Sequence, residues 1–185
     1  MRALRRLWRA VLRAVGLGPK TAAERGGPGF RGILEATLAD IPDIVRFELP
    51  IFRAHEAAHP VDFVEQTEDR ALVEKYEALI GSHSAGVLMY VADGRAAGFL
   101  SWATYMHQGA TQAAIQTIAV ADAHRRQGIA TELLDHMRGH LAAAGVTTVR
   151  AHVWAQNDGS RAFFENHGFR ASYTLYSAPV EISGT

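Results

Sequence analysis

The sequence predicts an α/β domain, a mixed and mostly antiparallel sheet flanked by helices. Three observations carry that expectation. From Arg31 onward, apolar runs of strand length alternate with amphipathic stretches of helical length, in the order β, α, α, β, β, β, α, β, α, β. Two of the apolar runs are joined by Asp93-Gly94, a pair suited to a tight hairpin turn. A chain of 185 residues with 48% apolar content is long enough to bury one core and too short for two comfortable ones.

The first 15 residues, MRALRRLWRAVLRAV, place Leu4, Leu7, Trp8, Val11, Leu12 and Val15 on one helical stripe, with Arg2, Arg5, Arg6, Arg9 and Arg13 opposite. This predicts a basic amphipathic helix over residues 1–15. It has no uninterrupted apolar stretch of the kind a secretory signal or a membrane span requires. The readings stay open: an interfacial helix on an anionic membrane, an Arg-rich targeting peptide lacking acids, or a terminal helix that docks on its own domain or a partner or simply frays. Residues 16–30 are rich in Gly and Pro, show no periodicity and read as a linker to a domain over 31–185.

Within that domain, 31–37 reads as a strand and 38–58 as a helix or helix pair, with Asp40 as a cap and Pro42 in the first turn. Residues 67–80 form a second amphipathic helix with Thr67 as N-cap. The hairpin spans 86–105, and a further strand 110–120. A strong helix over 128–145 is closed by Gly145, and a strand over 146–154 follows. The short helix 157–168 starts at Asn157 or Asp158, and a last strand covers 169–180.

Charge is segregated along the chain. Residues 1–31 carry eight Arg/Lys against Glu24 alone, and the remainder carries eleven against eighteen acids. An acidic body disfavours nucleic-acid binding by the domain and suits a cationic, amine-bearing substrate. The absence of cysteine excludes disulfides and thiolate catalysis, which fits a cytoplasmic setting.

The chemistry concentrates in AVADAHRRQGIATELLDHM, residues 119–137. A helix N-terminus exposes unpaired N–H groups and a partial positive charge, so it stabilises an anion. Gly128 permits unusual dihedrals or close approach of a ligand, and Arg125 and Arg126 add full charges. Such a strand-to-helix turn is suited to phosphate.

Arg125-Arg126-Gln127-Gly128-Ile129-Ala130 resembles the [Gln/Arg]-x-x-Gly-x-[Gly/Ala] signature of the GNAT superfamily of acetyltransferases, between a strand and a helix as in that family. About 25 residues later, NDGSRAFFENHGF resembles its second signature, with Asn157, Ser160, Phe163, Glu165, Gly168 and Phe169 in the corresponding places. The resemblance covers residues 31 to about 180. It implies a sheet splayed between strands 110–120 and 146–154, and transfer of an acetyl group from acetyl-coenzyme A to an amine of a small molecule or peptide in a ternary complex. The pyrophosphate of acetyl-coenzyme A is expected on the N–H groups of Arg126, Gln127, Gly128, Ala130 and Thr131, beside Arg125. The pantetheine arm is expected along Ile118, Ala119 and Val120, with the Ile118 N–H polarising the thioester carbonyl. Asn157 is expected to steady the arm or an ordered water, and Ser160, Phe163 and Phe164 to complete the cofactor surface. No metal is required.

The chain departs from the family pattern twice. Where many members carry a strand Glu as base, this one reads Ala113-Ala114-Ile115-Gln116, so the base must come from elsewhere: His55, His59 or Glu48 on the substrate-side helix, or His152. Phe164 stands where a Tyr commonly protonates the leaving thiolate. A simple thiol titrates near pH 8.5, which makes its thiolate a tolerable leaving group without a donor; Ser160, Tyr173 or water are the substitutes. These departures motivate an alternative, a weak or inactive acyl-coenzyme A-binding relative recruited by its N-terminal helix. His55-Glu56-Ala57-Ala58-His59 also fits the zinc motif H-E-x-x-H, but Pro60 tends to end the helix at once and no third ligand is marked.

Overall fold

A computed structural model of the protein describes residues 20–58 and 69–175. The predicted helix 1–15, the Thr67 cap, His59 and residues 176–180 of the predicted last strand lie outside the described residues. Among the described residues five strands form one sheet in chain order: β1 (Arg31–Glu35), β2 (Ala85–Ala92), β3 (Arg95–His107), β4 (Ala110–Val120) and β5 (Thr148–Ala151). The first four pair antiparallel and β5 joins β4 in parallel. The mixed, mostly antiparallel sheet expected from the sequence is present.

Two helical layers cover the sheet. On one face pack α1 (Ala22–Gly26), α2 (Ile41–Ala58) and α3 (Asp69–Ile80), around Ile44, Leu72, Tyr76, Met89, Val91 and Phe99. On the other pack α4 (Ile129–Ala143) and α5 (Asp158–Asn166), around Leu100, Trp102, Ile115, Leu133, Leu134, Met137 and Phe164. The long apolar runs of β2 and β3 follow from this, because a strand covered on both faces has no solvent side to alternate with. No helix among the described residues is long and apolar enough to cross a membrane.

Turn chemistry positions the strands. Asp93 and Gly94 have φ of 52° and 70°, both positive as a two-residue hairpin turn requires. Gln108 and Gly109, with φ of 49° and 79°, make the same kind of turn between β3 and β4, so β3 runs to His107 rather than ending near Tyr105. Gly145 closes α4 at φ 74°, and the next residue's N–H, that of Val146, donates to Leu141 O at 2.9 Å.

The linker reading of 16–30 needs correcting within its described part. Thr21 caps α1 through a capping box: its Oγ1 accepts from Glu24 N–H at 3.2 Å, and the Glu24 carboxylate accepts from Thr21 N–H at 2.7 Å. Asp40 binds this helix to the sheet layer. It is 1% exposed, accepts from the N–H groups of Ala22 and Thr37, and pairs with Arg25 at 3.3 Å. It therefore serves a three-residue 3-10 turn (Leu38–Asp40) whose N-cap is Thr37, instead of being the cap itself.

Two strand expectations also change. β5 spans Thr148–Ala151 instead of 146–154, because its pairing with β4 ends at Ile115↔Ala151. Residues 169–175 form no strand.

Candidate active site

The site begins with one extra residue in β4. β3 pairs Ser101↔Thr117 and then Trp102↔Ile115, so Gln116 has no counterpart and forms a β-bulge. The bulge resets the alternation of faces: Ile115 and Ile118, three residues apart, both pack on the α4 side. It also bends the strand at the residue where pairing with β5 stops. From Thr117 to Val120, β4 remains paired with β3 but has no β5 partner. The sheet is split at this point, between the two strands where the splay was expected.

The register shows which backbone groups face the split. Ala121 N–H donates to Ala97 O on the β3 side at 2.9 Å, and backbone direction alternates along an extended strand. Ala119 therefore faces β3, consistent with its carbonyl lying close to Gly98. Ile118 and Val120 turn their N–H and C=O groups toward the gap.

Beyond Val120 the chain makes a short 3-10 turn, Asp122–His124, and reaches the loop that opens α4. Arg126 and Gly128 both take positive φ, 61° and 81°, the kind of backbone that forms anion-binding concavities in such loops. For an arginine this conformation costs roughly 1–2 kcal/mol, a strain found chiefly at ligand-binding loops. The first helical bond runs from Glu132 N–H to Gly128 O at 3.0 Å, so the N–H groups of Gly128, Ile129, Ala130 and Thr131 precede the ladder and have no partner within the helix. A Cβ on Gly128 would meet nothing within 4 Å. Glycine is needed here for its dihedrals, and the space in front of it is open.

Side chains hold the loop in place. Gln127 is gripped at both ends, donating to Ala123 O at 3.1 Å and accepting from Arg31 at 3.2 Å. Arg125 pairs with Asp122 at 2.8 Å and reaches Val120 O at 3.5 Å; Arg126 is exposed beside it. Thr131 Oγ1 meets His167 Nε2 at 3.0 Å. Since His167 Nδ1 lies 2.6 Å from Phe163 O, which only accepts, Nδ1 carries the proton and a neutral ring accepts from Thr131. The helix N-terminus is thereby tied to the end of α5.

The second signature builds α5. Asn157 is its N-cap, with Oδ1 accepting from Ser160 N–H at 2.9 Å, which leaves the amide nitrogen and one lone pair of Oδ1 for other work. Phe163 lies against His167 at 4.3 Å between ring centres. Phe164 is 6% exposed, packed on Phe163 and Phe169. Its ring serves the core.

The four base candidates separate clearly. His55 packs on Trp154 with ring centres 5.1 Å apart and planes tilted by 45°, and His152 Nε2 bonds the hydroxyl of Tyr173 at 3.0 Å. His59 lies outside the described residues. Glu48 is fully buried beneath the split edge: its Oε1 accepts from Thr117 of β4 and from Lys75 of α3 at 2.7 Å. Among the described residues no three His, Asp or Glu side chains converge as metal ligands.

The fold matches solved structures over about four fifths of this chain and nearly all of theirs. A point mutant of the BH1408 protein from Bacillus halodurans has a TM-score of 0.72 at 19% identity, covering 81% of this chain and 99% of that one. An aminoglycoside antibiotic 6'-N-acetyltransferase from Acinetobacter haemolyticus gives 0.63 at 18% identity, with 82% and 99% covered. A ribosomal-protein-alanine N-acetyltransferase from Brucella melitensis gives 0.59 at 18%, with 81% and 99% covered. No curated protein sequence matches the chain. The family model described as Acetyltransferase (GNAT) family matches residues 48–169, about two thirds of the chain, including the bulged strand, the loop and α5. A split sheet edge, an unpaired helix N-terminus beside it and this family match converge: the chain belongs to the GNAT acetyltransferase family.

Proposed function

We propose that the protein is an acetyl-coenzyme A-dependent N-acetyltransferase that acts on a cationic amine by direct transfer. The observation that carries this reading is the alignment of two anion- and amide-binding features on one path: the free edge of Ile118 and Val120, and the unpaired N–H groups of 128–131 that follow within a dozen residues. The open space at Gly128 and the positive φ of Arg126 fit a diphosphate, because both leave backbone donors uncovered.

Arg126, Gln127, Gly128, Ala130 and Thr131 would hold the diphosphate through their N–H groups, with the Arg125 and Arg126 side chains adding charge. Ile118, Ala119 and Val120 would hold the pantetheine arm as an added strand. Acetyl-coenzyme A supplies the acetyl group as a thioester. The Ile118 N–H, fixed by the strand and aimed into the gap, would donate to the carbonyl oxygen where negative charge develops, a contact that costs no reorganisation during reaction. The split itself holds the two reactants side by side, and proximity supplies much of the acceleration.

The acceptor is an amine of a small polycation or a peptide N-terminus. The acidic balance of residues 32–185 supports a cationic acceptor. Release of free thiol from acetyl-coenzyme A, measured with tobramycin, spermidine and an alanine-terminated hexapeptide, tests this. Amine-dependent release with formation of the acetylated amine is expected. Binding of coenzyme A with no turnover on any of these amines would overturn it.

A further inference from the structure

Glu48 is 0% exposed and lies on the sheet face opposite α4. Its Oε1 takes two donors, Lys75 Nζ at 2.7 Å and Thr117 Oγ1 at 2.5 Å. Its Oε2 has no hydrogen-bond partner among the described residues, nor do the Tyr76 hydroxyl and Ser101 Oγ. These groups are neighbours: Glu48 raises the phenol of Tyr76 above its ordinary value, after burial as the larger cause, while Ser101 and Thr117 act in the other direction. A carboxylate oxygen and two hydroxyls therefore lie close together in the interior, none of them in a hydrogen bond of full geometry.

As pure scaffolding this is a poor arrangement. A bare polar group inside a protein costs roughly 1–3 kcal/mol, more when charged. A buried ion pair can often be replaced by apolar residues of the same volume without loss. What distinguishes this carboxylate is its address. Thr117 immediately precedes Ile118, on the stretch of β4 that has lost β5, so the hydroxyl bonded to Glu48 stands next to the backbone group that faces the gap. Diphosphate-binding groups lie on the α4 side, whereas Thr117 opens to the α2–α3 side.

From this geometry we infer that Thr117 and Glu48 form the acceptor's proton path, with Thr117 touching the amine and Glu48 receiving the proton through it. The inference rests on the amine-acetylation reading above. The ammonium gives one proton to Thr117 Oγ1 as the hydroxyl passes its own to Glu48 Oε1. The freed nitrogen pair forms the C–N bond and the C–S pair leaves on sulfur. The second nitrogen proton ends on that sulfur, and Glu48 later returns its proton to solvent. The amide, the free thiol and one proton balance the ammonium and the thioester. Lys75, packed over Phe52 and Tyr76 at 5.6 and 5.0 Å, holds the carboxylate toward Thr117. Glu48 stands in space near the bulge, where β4 itself offers only Gln116. Carboxylate and strand come from different parts of the chain.

The test uses the full chain with two kinds of acceptor: tobramycin or the alanine hexapeptide, whichever wild type acetylates, and hydroxylamine, which is already neutral at pH 7. Glu48→Gln and Thr117→Val are expected to lower kcat/KM for the protonated amine about 100-fold. With hydroxylamine they stay within threefold of wild type, and Thr117→Ser keeps most of the wild-type rate with either acceptor. The deficit of Glu48→Gln should shrink as pH rises toward the amine's own pKa, since bulk base then supplies the free amine. Calorimetric affinity for coenzyme A should be unchanged. Equal losses with both acceptors, or a loss of coenzyme A binding, would reduce Glu48 to a packing role and overturn the inference while leaving the acetyltransferase reading intact. A wild-type protein inert toward every amine overturns that reading instead.

Discussion

Gly98 on β3 stands so close to Ala119 on β4 that a Cβ added to it would lie 2.8 Å from the Ala119 carbonyl oxygen, 3.3 Å from Val120 Cγ2 and 3.4 Å from Ile129 Cγ2. The contact fixes the position of the free strand edge from behind. Gly98→Ala must push Ala119 and Val120 outward into the gap. The expected cost is about 1–3 kcal/mol of stability, with a drop in coenzyme A affinity of tenfold or more. Urea unfolding and calorimetry on the same variant measure the two effects.

Gly128 separates the same two quantities in the opposite sense. Nothing lies near its missing Cβ, so Gly128→Ala meets only the strain of φ 81°, about 1 kcal/mol. Gly128→Glu adds a carboxylate in front of the unpaired N–H groups. Its fold should survive with a similar stability loss while coenzyme A binding disappears. A Gly128→Glu protein that binds coenzyme A as tightly as wild type would remove the loop from the site.

Asp40 concentrates four interactions in one buried carboxylate, with Ala22, Thr37 N–H, Thr37 Oγ1 and Arg25. Asp40→Ala leaves the buried Ala22 N–H and the half-buried Thr37 N–H without their acceptor, and Arg25 with Glu35 O but no carboxylate. A loss of roughly 3–5 kcal/mol is expected, in the range measured when one partner of a buried charged network is deleted. Hydrogen exchange should show residues 21–26 opening first.

Tyr76 sets an alkaline limit. Its hydroxyl is buried beside Glu48, and both effects hold the proton on, so the folded value lies above the unfolded value near 10. Below pH 10 both states are protonated and stability does not vary with this group. Above it the unfolded chain ionises while the folded one does not, so stability falls with rising pH, by at most about 1.4 kcal/mol per unit. Tyr76→Phe should flatten that decline in urea midpoints measured between pH 9.5 and 11.

The parts of the fold that the sequence disclosed are those decided by local chemistry. Asp93-Gly94 favours its turn whatever surrounds it, and Gly128 announces its dihedral and its helix start within four residues. The turn at Gln108-Gly109 was missed because Gln is an unusual residue at positive φ. For α1 a local signal did exist, the Thr21-x-x-Glu24 box, but the Gly/Pro content around it dominated the reading. What docks that helix is Asp40, 18 residues away from Ala22. The Glu48 cluster draws on α2, α3, β3 and β4, and no spacing along a single element reports it. The bulge was hidden for a related reason. An extra residue is visible only against the register of its neighbour, and the sequence of β4 alone has none.

That extra residue also bears on what can pair with the strand. An unpaired strand at the rim of a sheet is open to any passing copy of itself, and proteins blunt such rims with charge or short length. Here the open hydrogen-bonding row, Ile118 to Val120, is not at a rim: β4 is an interior strand whose neighbour leaves it partway along. A row set inside a sheet in this way can be reached by a single extended chain, whereas the rim of a second sheet would meet β1 or β5 instead.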